Sequence, residues 1–67
     1  MTSKLWFITD GVQVISVFLE KDSAEADLNR YRDDPDFDYY YQYSVMVNEL
    51  DDYPDEYDLA QSKGLIE

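Results

Sequence analysis

The stretch KLWFITDGVQVISVFL, residues 4 to 19, decides the fold. Its two halves, Lys4 to Thr9 and Val12 to Leu19, are dense in Trp, Phe, Ile and Val, residues that fit a pleated strand. Between them sits Asp10-Gly11, the dipeptide favoured by a two-residue type I′ turn, so a β-hairpin is expected. With Thr9 paired to Val12, Phe7 would face Val14 and Leu5 would face Ser16 on one side. Ile8 would meet Gln13, and Trp6 would meet Ile15, on the other. Both faces come out largely apolar, whereas a hairpin with one solvated face alternates apolar and polar side chains. Each face therefore needs a cover. The helix that follows is one. The second is either the C-terminal segment or another copy of the chain, so a homodimer formed through the hairpin face is an alternative expectation.

Downstream of the hairpin, Asp22 and Glu25 read as a capping box, and Ala24, Leu28 and Tyr31 fall on one stripe of a helix from about Ser23 to Asp33. Its outer face carries Glu25, Asp27, Arg30 and Arg32, with Asp27 and Arg30 close enough to pair. Pro35 forbids continuation beyond Asp34. From Phe37 the period changes to two: Phe37, Tyr39, Tyr41, Tyr43, Val45 and Val47 share one face, while Asp38, Tyr40, Gln42, Ser44, Met46 and Asn48 share the other. That pattern predicts a third strand whose tyrosines at 39, 41 and 43 turn to the core and whose Tyr40 turns outward. Pro54 suits the first position of a second helix running to about Lys63, with Asp55 and Glu56 at its positive end. Gly64 is placed to cap it in the left-handed conformation, and Leu65 to fold back on Leu59 or Ala60. The order strand, strand, helix, strand, helix predicts an α+β fold. A small three-stranded antiparallel sheet would have one helix packed on a face and a short C-terminal helix. Residues 1–67 form a single acidic domain without repeats or linkers.

A chain of 67 residues buries only about 60% of the surface its unfolded form exposes, so its stability margin is thin. There is no Cys and no His, which removes disulfides, thiolate chemistry and imidazole acid/base catalysis together. Sixteen acids against five bases give a net charge of −11, which favours solubility but strains the compact state, so added salt is expected to stabilise it. High net charge is half of the signature of disorder; the aromatic and β-branched residues arranged in period here argue for a folded chain. The apolar run after Lys4 is broken by Asp10, Gly11 and Gln13, with no cleavage site after it, and no stretch reaches the roughly 20 residues of a membrane helix. A soluble, cytoplasmic protein is expected.

Asp34, Asp36 and Asp38 have the spacing that opens an EF-hand loop. Tyr39 then falls where the turn glycine is required and Val45 where the bidentate Glu belongs, so no metal is expected. Paired carboxylates for hydrolysis need a cleft that a domain of this size hardly encloses together with a core. There is no phosphate-binding glycine loop and no nucleophile paired with a base, so neither enzymatic activity nor a cofactor is expected. Direct binding to nucleic acid fails on sign, because affinity for phosphate comes from Lys and Arg.

The stretch Asp33 to Asp58 holds ten of the sixteen carboxylates and six of the seven tyrosines, with no Lys or Arg. Such carboxylates can imitate the phosphates of a nucleic acid, and interleaved tyrosines can insert where bases would stack. The expected function is non-enzymatic: an acidic inhibitor that blocks the basic groove of a DNA- or RNA-binding protein. Candidate partner-binding residues are Asp33, Asp34, Asp36 and Asp38 in the loop, the outward Tyr40, and Glu49, Asp51, Asp52, Tyr53, Asp55, Glu56 and Asp58 around the second helix start. In size, acidity and aromatic content the chain is similar to phage-encoded host-takeover and anti-defence proteins. That resemblance of composition implies the cytoplasm of a bacterial host. The expected partner of such a mimic is a basic protein such as a nuclease, repair glycosylase, polymerase, nucleoid protein or CRISPR effector.

Overall fold

The computed structural model describes residues 3–66, and strands β1 (Lys4–Thr9) and β2 (Val14–Phe18) form the hairpin there, in a register other than the expected one. Trp6 pairs with Phe18, Phe7 with Val17, Ile8 with Ser16 and Thr9 with Val14. A type I′ turn needs positive φ at both central residues, but among the described residues only Gly11 (φ 93°) and Gly64 (φ 75°) have it. Asp10 is held otherwise. Its Oδ1 accepts the backbone N–H groups of Val12 and Gln13, each at 2.9 Å. Thr9 Oγ1 accepts the Gly11 N–H at 3.1 Å and donates to the Gln13 carbonyl at 2.8 Å. These bonds satisfy a four-residue loop, Asp10 to Gln13, in place of the two-residue turn.

Ile15 has no partner opposite it, so the ladder bulges between the Ile8 and Thr9 pairings. The bulge restores the pattern of faces. Val14 and Val17, three residues apart, both turn to the side of Leu5 and Phe7, and all four join the same core.

Strand β3 (Tyr41–Met46) pairs antiparallel with β1 from Thr9↔Tyr41 to Lys4↔Met46, giving the order β2-β1-β3. It is shorter than its period suggests because β1 offers only six partners. Upstream, Phe37–Tyr39 closes into a short 3-10 turn. Downstream, Val47–Asp52 forms a 3-10 helix that carries the chain off the end of β3 and buries Leu50. The tyrosines are corrected accordingly. Tyr43 does turn inward, stacked on Phe7 at 5.7 Å, but Tyr39 and Tyr41 are 66% and 55% exposed. Tyr40, expected outward, is half-buried with its ring 4.8 Å from that of Tyr31.

Helix α1 (Lys21–Asn29) starts earlier and stops earlier than expected. Its N-cap is Glu20 and no side chain caps it, so the Asp22–Glu25 capping box does not form. Asp27 does meet Arg30, at 3.4 Å. The helix covers the face of Trp6 and Ile8: Ala24 is fully buried, Lys21 Nζ lies 5.9 Å from the Trp6 ring, and Gln42 Nε2 donates to Glu25 Oε1 at 3.4 Å.

Helix α2 (Pro54–Ser62) covers the other face. With Leu50 it brings Ala60, Tyr57 and Leu59 against Leu5, Phe7, Val17 and Val45. Its end follows the expected pattern: Gly64 N–H donates to the Gln61 carbonyl and Leu65 N–H to the Ala60 carbonyl, both at 3.0 Å, a Schellman motif that returns Leu65 to the core. The C-terminal segment therefore covers the second hairpin face. The result is a three-layer α+β fold with helix α1, the sheet, and α2 with its preceding 3-10 helix. Leu5, Phe7, Ile8 and Leu50 are fully enclosed, each contributing about 1.5–3 kcal/mol by leaving water.

Candidate functional site

The connections bring both acidic segments to one end of the sheet. β3 begins opposite Thr9, beside the hairpin loop, so the loop that precedes it lies at that end. Asp36, Tyr39 and Tyr40 line an open groove of about 470 Å³ together with Asp10, Gly11 and Val12. On the opposite side of the hairpin loop, Asp55, Asp58, Leu59 and Ser62 of α2 line a second groove of about 390 Å³ with Gln13 and Val14. Val12, at the loop tip between them, is 92% exposed. The two acidic segments thus flank the hairpin loop, one on each face.

The local chemistry explains how each side is held. Asp34 Oδ1 accepts the Asp36 N–H at 2.8 Å, an Asx turn that bends the chain after Pro35. Asp34 Oδ2 sits 3.5 Å from the Tyr40 hydroxyl. Burial against the loop, followed by the carboxylates of Asp34 and Asp10, raises the Tyr40 phenol above its ordinary value. Asp10 moves the other way, because the backbone N–H groups of Gln13 and then Val12 stabilise its carboxylate. On the α2 side, burial and then Glu56 raise the Tyr43 phenol strongly, through both the Glu56 charge and a side-chain hydrogen bond to it. Asp55 adds to the same effect. Tyr41 lies beside this pair, 5.8 Å from Tyr43.

The expected site residues divide on this framework. Asp36, Asp55 and Asp58 line the two grooves at the hairpin end, with Asp34 behind the first and Glu56 half-buried behind the second. Asp33 and Asp38 are exposed in the adjoining loop. Asp51 lies with Asp58, Tyr57 and Leu50 around a smaller groove of about 190 Å³ under the start of α2. Glu49 and Asp52 are exposed on the 3-10 helix, and Tyr53, 42% exposed, precedes Pro54. Residues 49 to 52 follow β3 at its Met46 end and line neither hairpin-end groove, although Asp51 shares its smaller groove with Asp58, which does. Tyr40 supports the first groove while half-buried.

Three residues at this end escaped the sequence reading. Asp10 and Val12 belong to the hairpin loop, where the sequence indicates only a turn and a strand, while the period of Tyr39 points it to the core. The signal for Tyr39 was the Asp34-Pro35-Asp36 sequence, whose turn chemistry interrupts a strand before it.

Arg30 and Arg32 directly precede the acidic loop, where Tyr31 between them packs on Tyr40, and the three lysines lie elsewhere. Lys4 begins β1, Lys21 begins α1 after β2 has ended, and Lys63 lines a groove with Phe18, Leu19 and Glu20, so these three mark the opposite end of the sheet. Lys4 and Lys21 both approach the Trp6 ring there, at 5.0 and 5.9 Å. Among the described residues no three carboxylates converge as a metal site would require. No helix among them is long and apolar enough to cross a membrane. Comparison with protein-family models, curated proteins and solved structures gave no match.

Proposed function

We propose that this protein is a non-enzymatic acidic inhibitor whose hairpin end enters the basic groove of a nucleic-acid-binding protein and takes the place of DNA or RNA. The observation that carries this reading is the meeting of Asp36, Asp55 and Asp58 at one end of the sheet, with the three lysines towards the other, while Arg30 and Arg32 stay beside the first acidic loop. An end-on charge asymmetry of this kind steers and orients a cationic partner. Exposed Val12, Tyr39 and Tyr41 supply the apolar and aromatic contact that carboxylates alone lack.

The amount of charge fits the role. The molecule is 35 Å long, a length over which duplex DNA carries about 20 phosphates at one per ~1.7 Å. A net charge of −11 is about half that density, enough to compete for Lys and Arg side chains when reinforced by shape and stacking.

The test is displacement. Labelled duplex DNA is bound to each of a panel of basic proteins, among them a nuclease, a repair glycosylase and a nucleoid protein, and this protein is titrated in. Displacement is expected from at least one, weakening as salt rises from about 0.1 to 1 M and the Debye length falls from about 10 to 3 Å. The Asp36→Lys, Asp55→Lys, Asp58→Lys triple variant is expected to lose it while keeping its circular dichroism spectrum. Displacement that ignores both salt and charge reversal would refute mimicry.

A further inference from the structure

The sheet has two edges, and they differ. β2 carries the bulge at Ile15, a device that twists an edge and interrupts pairing. β3 keeps a single register over all six residues and contains neither a charged residue nor a proline, the usual means of blunting an edge.

The ladder tells which of its backbone groups are free. The Val47 N–H donates to the Ser3 carbonyl at 3.0 Å, in line with the register that pairs Leu5 with Val45 and Phe7 with Tyr43. Hydrogen-bonded pairs alternate along an antiparallel ladder, so Tyr41, Tyr43 and Val45 bond to β1 and the N–H and C=O groups of Gln42, Ser44 and Met46 point outward. Among the described residues no other backbone group bonds to these three. Ser44 is exposed, and Met46 is 42% exposed.

Charge decides what can dock there. Carboxylates surround the edge without standing on it: Asp38 precedes it, Glu49 follows it, Glu25 reaches Gln42 on the α1 face and Glu56 reaches Tyr43 on the α2 face. Two copies paired edge to edge would set these carboxylates against each other, and like charges across a strand pair are destabilising. A cationic strand would find a counter-charge on both faces.

We propose that the open edge of β3 receives an extended basic segment of the partner, which adds to the sheet as a fourth strand with Lys or Arg at alternating positions. This rests on the reading that the partner is basic, and it specifies how part of that partner is held. Backbone hydrogen bonds to Gln42, Ser44 and Met46 supply affinity, and the carboxylates on the two faces select alternate side chains. The same carboxylates keep the edge from pairing with itself.

The probe is a short peptide alternating Lys and Thr, titrated into the isotope-labelled protein, with amide hydrogen exchange as the readout. Protection is expected to appear at the Gln42, Ser44 and Met46 amides. A version of the peptide N-methylated at alternate residues keeps its charge but loses its edge hydrogen bonds, and is expected to bind at least about tenfold more weakly. Ser44→Pro removes one outward donor at a position where edge strands tolerate proline, and is expected to have a similar effect. Equal binding of the N-methylated peptide, or saturation without protection at these amides, overturns the proposal whether or not the Pro variant folds. Protection that arises without peptide and grows with protein concentration would give the edge to a second copy and overturn it as well. A folded Ser44→Pro protein that displaces duplex DNA as well as the parent does would refute strand addition and leave occupation of the basic groove standing.

Discussion

Leu50 is the residue on which the second layer turns, and its truncation to Ala gives the sharpest test of how that layer is built. Leu50 lies in a 3-10 helix of six residues, is 1% exposed, and packs in the cluster that joins α2 to Leu5, Phe7 and Val45. A fully enclosed Leu→Ala change costs about 2.7–5 kcal/mol, the transfer of the lost methyl groups plus the cavity they leave. A domain of this length is stable by roughly 3–10 kcal/mol at 0.05–0.15 kcal/mol per residue, so the variant stands close to unfolding at room temperature. The expected shift in melting temperature is at least about 10 °C downward, from 4–8 °C per kcal/mol in a domain this small. Urea unfolding followed by tryptophan fluorescence measures it directly, with Trp6 as the single reporter. The midpoint should fall while the slope with denaturant is kept, since the same surface is exposed. Val12→Ala at the 92% exposed loop tip serves as the control and should stay within about 0.5 kcal/mol. A loss below about 1 kcal/mol for Leu50→Ala would refute the argument that this one side chain seals the α2 face. A lowered slope would show α2 leaving separately from the sheet.

Other expectations follow from the loop and the caps. Gly64→Ala places a Cβ in open space at φ 75°, so its cost is the backbone preference alone, about 1 kcal/mol, read by thermal melting. Gly11→Ala should cost more, because φ is 93° there and the new Cβ lies 3.3 Å from the Tyr39 carbonyl. Asp10 titrates below its ordinary 3.8 in the folded state, so its contribution is present above that pH and is lost as pH falls through the lower folded value. The Val12 and Gln13 amide resonances should report this loss in an acid titration. Tyr43 is the reverse case: its folded pKa is raised above 10.0, so its contribution is present below pH 10 and is lost as pH rises beyond it. Ultraviolet titration of the phenols should find Tyr43 ionising after the exposed tyrosines, and Glu56→Gln should bring it closer to them.

The sequence made the element order and the end of α2 legible because both rest on local chemistry. Gly64 can adopt a positive φ, Leu65 is apolar, and no tertiary partner is needed to read the cap between them. The hairpin register was not legible, since Asp10 had two competing uses. As part of Asp-Gly it suits a tight turn, and as a carboxylate it can bind two backbone N–H groups; the second use won. Once the loop held four residues, the bulge at Ile15 was required to keep Val14 and Val17 on one face. The aromatic run failed for a different reason. Its period of two extends from Phe37 to Val47, but a strand persists only while a neighbour accepts its hydrogen bonds, and β1 ends at Thr9. Tyr39 was released from the core by the length of another strand, a fact its own sequence does not contain. At the candidate site, composition located the acids, while topology decided which of them share an end. Asp36 and Asp55, nineteen positions apart in the sequence, flank one loop because β3 starts opposite Thr9 and the first turns of α2 lie beside Gln13 and Val14.

The central position of β1 also orders the events of folding. Thr9 and Val14 close over a handful of residues, whereas Thr9 and Tyr41 must meet across some thirty, and the difference in loop-closure entropy is about 1.6 kcal/mol. The hairpin is therefore the nucleus expected to form first, with its apolar faces bare until α1 and the C-terminal segment arrive. Changes in β1 or β2 should slow folding, while changes in β3 or at Leu50 should chiefly hasten unfolding. The strand that nature places first in this chain waits longest for its last neighbour, and in that interval the aromatic hairpin is the species most exposed to aggregation.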